Sequence, residues 1–245
     1  MGAADARLWH RAVPGIVTGP DATPIRDAAT VILLRRRRAE VSVLMGMRGA
    51  GAAFMPSKYV FPGGAVDAAD ASVFLAAPVA QPHRRRLAQQ PRPGTAPDPD
   101  AIAAAALREL AEETGQLIGR PGRCALPGFA EAGLAPDASA LVYLFRAITP
   151  PGRPRRFDAR FFAADAACLA TDPDDFSRAC DELSHLHWVP VAQARALDLP
   201  FITEVVLAEL AHLIADLPHD APLPVPDTVP FFDNLGHAPR FAQLT

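Results

Sequence analysis

Hydrophobic positions along the chain fall into two regimes. Ala29–Leu34 (ATVILL) and Val41–Met47 (VSVLMGM) are brief runs rich in branched apolar residues, and they predict two strands. RRRRAE between them predicts a hairpin whose tip, Arg35 to Arg38, is solvated. Tyr59-Val60-Phe61 predicts a third strand, ended by the tight turn Pro62-Gly63-Gly64. Ala140–Thr149, Phe157–Asp165 and a short run closing at Pro190 predict three more, the first two joined by the turn PPGRPRR. The pattern turns helical over AIAAAALRELAEET, with Asp98 or Asp100 placed to cap its start and Gly115 to stop it. VAQARAL, from Val191, and the amphipathic stretch Pro200–Leu217 predict later helices, and TDPDDFSRACDE predicts an acidic loop with one short helix.

Three segments lack such periods. Residues 1–27 are polar and broken by Pro and Gly, which suits a surface wrap. Residues 71–99 read as an insertion with one short helix, and residues 218–245 as a Pro-rich tail. Strands flank one central helix and further helices close the chain, so the expected class is α+β, in a single domain over 1–245.

Composition narrows the function. Half of the 245 residues are hydrophobic, enough for a sizeable core. A net charge of −3 argues against a nucleic-acid coat or a membrane-surface protein, and no apolar run has the length of a membrane span. The three cysteines, Cys124, Cys168 and Cys180, have no CxxC spacing, which points away from zinc and from a disulfide framework. The N-terminus has no apolar stretch of signal-peptide length, and the expected location is cytoplasmic.

Candidate chemistry lies in the predicted central helix. Glu109, Glu112, Glu113 and Gln116 are spaced to share one face. Such crowding of carboxylates has two explanations: a solvated acidic helix offset by Arg108, or a hard divalent cation held between carboxylate oxygens. Mg²⁺ prefers such oxygens, and the substrate of such a site is a phosphate ester or diphosphate whose oxygens complete the metal shell.

The pairing of YVFPGGAVD with RELAEETG resembles the signature of the Nudix hydrolases. That signature is a glycine, five residues, an acidic residue, and later Arg-Glu-aliphatic-x-Glu-Glu-x-Gly-aliphatic. Arg108 to Gly115 match without a break, and Gln116 stands in the last aliphatic position, a change of packing rather than chemistry. Gly64 and Asp70 satisfy the upstream half, but Arg108 follows Gly64 by about 30 residues more than the regular spacing of about 14. Gly94 with Asp100 satisfies the same half at the regular distance; the strand leading into Gly63-Gly64 favours the earlier pair.

The resemblance implies an α/β/α sandwich with a mixed central sheet and Mg²⁺- or Mn²⁺-dependent hydrolysis of a nucleoside diphosphate linked to another moiety. The interrupted box and RRFDARFFAAD resemble the branch that cleaves coenzyme A and its thioesters. Arg48 keeps the spacing of a coenzyme A motif whose other identities are mostly lost. ADP-ribose and NADH are the alternative substrates, and a non-catalytic nucleotide-binding regulator is the alternative class. Within the resemblance Glu112 and Glu113 bind the metal, and Glu109 is a third ligand or the base. Arg108 orients Glu109, and the Gly63 and Gly64 backbone approaches metal or phosphate, with Gly64 counted in the metal set. Glu182, with Asp181 second, is the acid from the loop before the late strand. Arg48, Phe61, Gly63 and Arg156 are the expected substrate contacts. HRRR (His83–Arg86) and Arg155-Arg156 either meet a terminal phosphate or form plain solvated surface. The implied partner is a small nucleotide diphosphate, with no nucleic acid and no membrane, and a homodimer is the candidate assembly.

Overall fold

In the computed structural model, residues 23–37, 40–49, 51, 55–236 and 238–245 are described. Expectations for residues 1–22 and for Arg38 fall outside them. Strands β1 (Ile25–Arg37), β2 (Glu40–Arg48), β3 (Tyr59–Val60) and β4 (Gly63–Ala65) come first, then helices α1 (Gln81–Leu87) and α2 (Pro99–Thr114). A small ribbon of β5 (Gly119–Pro121) and β6 (Leu134–Pro136) encloses the short α3 (Phe129–Ala132). The chain continues through β7 (Val142–Ile148), β8 (Arg156–Asp165), β9 (Leu183–Pro190), α4 (Val191–Ala194), α5 (Phe201–Leu213), β10 (Val229–Asp233) and β11 (Arg240–Leu244).

The centre of β1, Val31 to Leu34, is continuously apolar because it is covered on both faces. Ala29, Val31 and Leu33 pack in the layer that holds α2, while Ile32 and Leu34 pack in the layer that holds α5. The sheet runs β11-β10-β7-β8-β1-β2-β3, with β4 pairing β1 and β9 pairing β2. β1 with β8 and β10 with β7 are parallel; the other pairings are antiparallel. The expected α+β sandwich with a mixed central sheet is what the chain forms.

α2 lies close on the sheet because Ala103 to Ala106 are small and fully buried. Asp98 caps its start, accepting from the Asp100 amide. Gly115 ends it in the left-handed conformation (φ 75°), where Gly carries no Cβ penalty. The helix therefore stops before Gln116. That residue does not share the glutamate face: it is fully buried, and its amide donates to the carbonyls of Asp172 (3.1 Å) and Asp175 (2.8 Å). Its carbonyl accepts from Thr171 (2.7 Å), so a polar residue in an aliphatic position anchors the acidic loop. That loop holds no helix, because the Asp172 and Asp175 side chains accept local amides at 2.9 Å and stabilise turns instead.

The arginine runs differ most from expectation. β1 and β2 extend to Arg37 and Glu40, so Arg35 and Arg36 are strand residues with partners. Arg35 lies 4.2 Å over the Trp188 ring and pairs with Asp174. Arg36, its side chain 5% exposed, pairs with Asp165 and donates to the carbonyls of Pro218 and Ala221. In the HRRR run, His83 and Arg86 are buried, Arg84 pairs with Asp100, and Arg86 donates to the carbonyls of Pro226 and Asp227, both at 2.7 Å. His83 and Arg86 are thus used by the fold, while Arg85 is exposed, as the solvated-surface expectation has it. The Pro-rich tail is likewise part of the sheet, as β10 and β11.

A buried ionic layer binds the insertion to the sheet. On the α2 side Arg146 forks onto Asp158 (2.8 and 2.7 Å), and both are almost wholly buried. Arg146 also donates to the carbonyls of Gln89 and Gln90, and Arg92 of the insertion reaches Asp158 (3.0 Å) and the Ile25 carbonyl (2.9 Å). Arg160 pairs with Asp27. Burying so many charges is tolerable only because each carboxylate meets several donors. Among the described residues no helix is long and apolar enough to cross a membrane.

Candidate active site

The last two turns of α2 face the turn from β3 into β4. Arg108 is the hub. Its Nε and Nη2 fork onto Asp70 at 2.8 and 3.0 Å, and Nη2 also meets the Ala65 carbonyl at 3.0 Å. Its Nη1 donates to Glu109 (2.8 Å) and Glu112 (3.1 Å). These hydrogen bonds, that with Asp70 first, hold the guanidinium firmly protonated. Asp70 is itself buried and accepts from the Asp67 amide at 2.8 Å. Asp70 thus anchors Arg108 across the insertion. The sequence offers Asp70 only as a spacing match with no role, although its place six positions beyond Gly64 is the signal.

The two candidate glycines differ in their surroundings. Gly94 has open space around it, and Asp100 serves α2 and Arg84. Gly64 leads to the Asp70–Arg108 fork.

The three glutamates differ in environment. Glu113 is buried, and its Oε2 accepts the Gly63 amide at 2.7 Å, while Oε1 has no hydrogen-bond partner. Burial pushes its carboxyl up to about 8, opposed by the Gly63 amide and Arg48 and reinforced by Glu109 and Glu182. Glu109 is also raised, chiefly by burial, with Arg108 opposing and Glu112 and Glu182 adding like charge. The Glu112 side chain is the most exposed of the three, at 44%.

Glu182, just before β9, reaches the same place by pairing with Arg48 at 3.1 Å; Arg48 Nη2 lies 3.4 Å from the Gly63 carbonyl and 4.0 Å from Glu113. Arg48, Gly63, Gly64, Arg108, Glu109, Glu112, Glu113 and Glu182 are thereby brought together. Phe61 and Arg156 are not among them. Phe61 packs in the core layer on the α5 side, 3% exposed, and Arg156 is buried with its guanidinium on the carbonyls of Thr149 and Asn234, both at 3.0 Å. An apolar strand residue and a strand-end arginine are used by the fold, which corrects the expectation that both touch substrate.

The glycines are required for a nearer reason than the expected approach to a ligand. A Cβ on Gly63 would lie 2.5 Å from the Ala29 carbonyl of β1. A Cβ on Gly64 would lie 2.4–2.6 Å from the Glu109 carboxyl group. The turn is pressed between β1 and α2, and the absence of side chains lets Glu109 stand where it does.

Compared with models of known protein families, the chain matches none. Among solved structures it is similar to a Nudix hydrolase from Alicyclobacillus acidocaldarius, with 29% identity over 76% of this chain and 91% of that one and a TM-score of 0.56. The chain has the Nudix hydrolase fold. The Nudix hydrolase RenU from M. smegmatis (18% identity, 79% and 88% of the two chains, TM-score 0.44) is more distant. So is the Nudix domain of Shewanella oneidensis NrtR in complex with ADP ribose (12%, 86% and 98%, TM-score 0.45). Neither bears on the chemistry. The glycine turn and Asp70 precede residues 71–99, Arg108 to Gly115 follow them, and the fold brings Asp70 and Arg108 to hydrogen-bond distance.

The carboxylates suit a divalent cation. Their donors are hard oxygens, and Glu113 presents a buried oxygen with no partner. Among the described residues no group of three or more His, Cys, Asp or Glu side chains is arranged to hold a metal ion. Arg108 and Arg48 hold the carboxylates in ion pairs instead.

Proposed function

We propose that the protein hydrolyses the diphosphate bond of a nucleoside diphosphate linked to another moiety, with coenzyme A or acyl-coenzyme A as the substrate class and Mg²⁺ or Mn²⁺ as cofactor. The likeness to the Alicyclobacillus hydrolase supports an enzyme acting on pyrophosphate bonds. The observation that carries the reading is the buried Oε1 of Glu113, which has no hydrogen-bond partner, beside Glu109, Glu112 and Glu182.

Glu112 and Glu113 would hold the cation, which when bound neutralises diphosphate charge and lowers the pKa of a coordinated water. Glu109, oriented by Arg108 and raised by burial, is placed to take the proton of the attacking water. Glu182 supplies further negative charge from the facing loop. A cleft of about 400 Å³ opens beyond Val66-Asp67-Ala68 and is walled by Arg92, Thr95 and Asp98 of the insertion, which gives the remote part of a substrate a place next to the turn.

The test is a substrate panel with Mg²⁺ or Mn²⁺: coenzyme A, acyl-coenzyme A, ADP-ribose, NADH and dinucleoside polyphosphates. Coenzyme A species should turn over fastest. Glu112→Gln should lower turnover by about 10²-fold or more with the fold intact. Full activity in that variant, or no turnover of any substrate by the wild type, would refute the reading.

A further inference from the structure

Arg48 and Glu182 are 134 positions apart yet meet because of an irregularity between β2 and β9. The register of the two strands shifts between Met45 and Met47, and His185 on β9 takes a positive φ of 52°. Gly46 makes the shift feasible, since a Cβ there would lie 2.8 Å from the Leu183 Cβ. Such a bulge re-aims the residues beyond it. Past it Arg48 stands opposite Leu183, and its guanidinium turns to Glu182, the Gly63 carbonyl and Glu113.

The two arginines of the site are held very differently. Arg108 is locked by the Asp70 fork and the Ala65 carbonyl, so it has no freedom to leave. Arg48 has one good contact, to a carboxylate that is 55% exposed, and two long ones. An exposed ion pair of that kind is easily exchanged for another cation. Its guanidinium also faces the one buried carboxylate oxygen among the described residues that has no hydrogen-bond partner, Oε1 of Glu113, at 4.0 Å.

We propose that Arg48 is the built-in counter-cation of the site. It pairs with Glu182 and screens Glu113 until a divalent cation takes those carboxylates, and loading then releases the guanidinium from both. The proposal rests on the cluster being a metal site. It explains why acidic side chains so near one another form no finished cage among the described residues: an arginine stands in for the ion. Arg48 is thus a positioning residue that couples metal loading to the exposure of a free positive charge.

The test is Mn²⁺ binding by the metal-free full chain without substrate, followed by the electron paramagnetic resonance of free Mn²⁺, for wild type, Arg48→Gln and Arg48→Lys. Arg48→Gln should bind Mn²⁺ about fivefold more tightly, the worth of one partly exposed ion pair, and Arg48→Lys should stay near wild type. In parallel, phenylglyoxal labelling of Arg48 in the wild type, read by mass spectrometry, should be faster with Mn²⁺ than without it. This second measurement decides the matter alone if Arg48→Gln fails to fold. Equal or weaker Mn²⁺ binding by a folded Arg48→Gln, or labelling indifferent to Mn²⁺, would overturn the proposal while the metal reading stands. No Mn²⁺ binding by any of the three would overturn the metal reading and the proposal with it.

Discussion

Gly63 and Gly64 are neighbours in one turn, yet alanine at each should fail in a different way. At Gly63 the new Cβ meets main chain: the Ala29 carbonyl at 2.5 Å and the Thr30 Cα at 2.6 Å. Ordinary contact starts about 1 Å farther out, and β1 is the central strand, so relief requires moving backbone in the sheet; overpacking of that kind costs roughly 1–3 kcal/mol. At Gly64 the obstruction is the end of a side chain, the Glu109 carboxyl group at 2.4–2.6 Å, which can swing away. The fold survives, but Glu109 moves by about 1 Å and loses its bond to Arg108, and a displacement of that size at a reacting group costs about 10²-fold in rate. Thermal unfolding and steady-state turnover with Mn²⁺ separate the two. Gly63→Ala should melt several degrees lower, and Gly64→Ala should melt near wild type with turnover about a hundredfold down. A Gly64→Ala protein with normal turnover, or a Gly63→Ala protein of unchanged stability, would show that the turn is not pressed between β1 and α2 in this way.

The buried ionic layer and His83 give two more tests. Asp158→Asn strips Arg146, Arg92 and Arg160 of their shared carboxylate and should destabilise the fold by about 3–5 kcal/mol in urea unfolding, whereas a change under 1 kcal/mol would mean the layer is solvated. His83 is almost fully buried, and burial first and Arg86 second lower its pKa from 6.5 to about 4. The folded state therefore keeps the ring neutral while the unfolded chain takes up a proton. Stability is fully present above pH 6.5 and is lost as pH falls toward 4, by up to about 3 kcal/mol. His83→Gln should flatten that part of the pH–stability curve, and an unchanged slope would remove His83 as its source.

What was legible in the sequence was what is local. The apolar runs of β1, β2, β7 and β8 and the alanine face of α2 state their burial in consecutive residues, and Arg108 to Gly115 carry their spacing within one helix. The arginines were misread because a basic run looks the same whether it faces water or carbonyls: Arg86 meets Pro226 and Asp227 at a separation of 140 and 141 residues, which no local pattern records. β10 hid behind Pro230, a residue that argues against a strand unless tertiary pairing overrides it. Gln116 was assigned to the glutamate face by helical spacing, but Gly115 ended the helix one residue earlier.

The long separation of Gly64 from Arg108 has a consequence for chain entropy. Closing the loop from Gly64 to Arg108 rather than one of about 14 residues costs, for a flexible chain, only about 1 kcal/mol more, since the penalty grows with the logarithm of length. The ionic layer and the Arg86 carbonyl contacts fix the added segment to the sheet and the last strands. The 71–99 segment can therefore stand between Asp70 and Arg108 at little cost in chain entropy, provided it carries its own anchors. Arg86 and Arg92 are those anchors, and they make the insertion a rigid part of the fold rather than a loop.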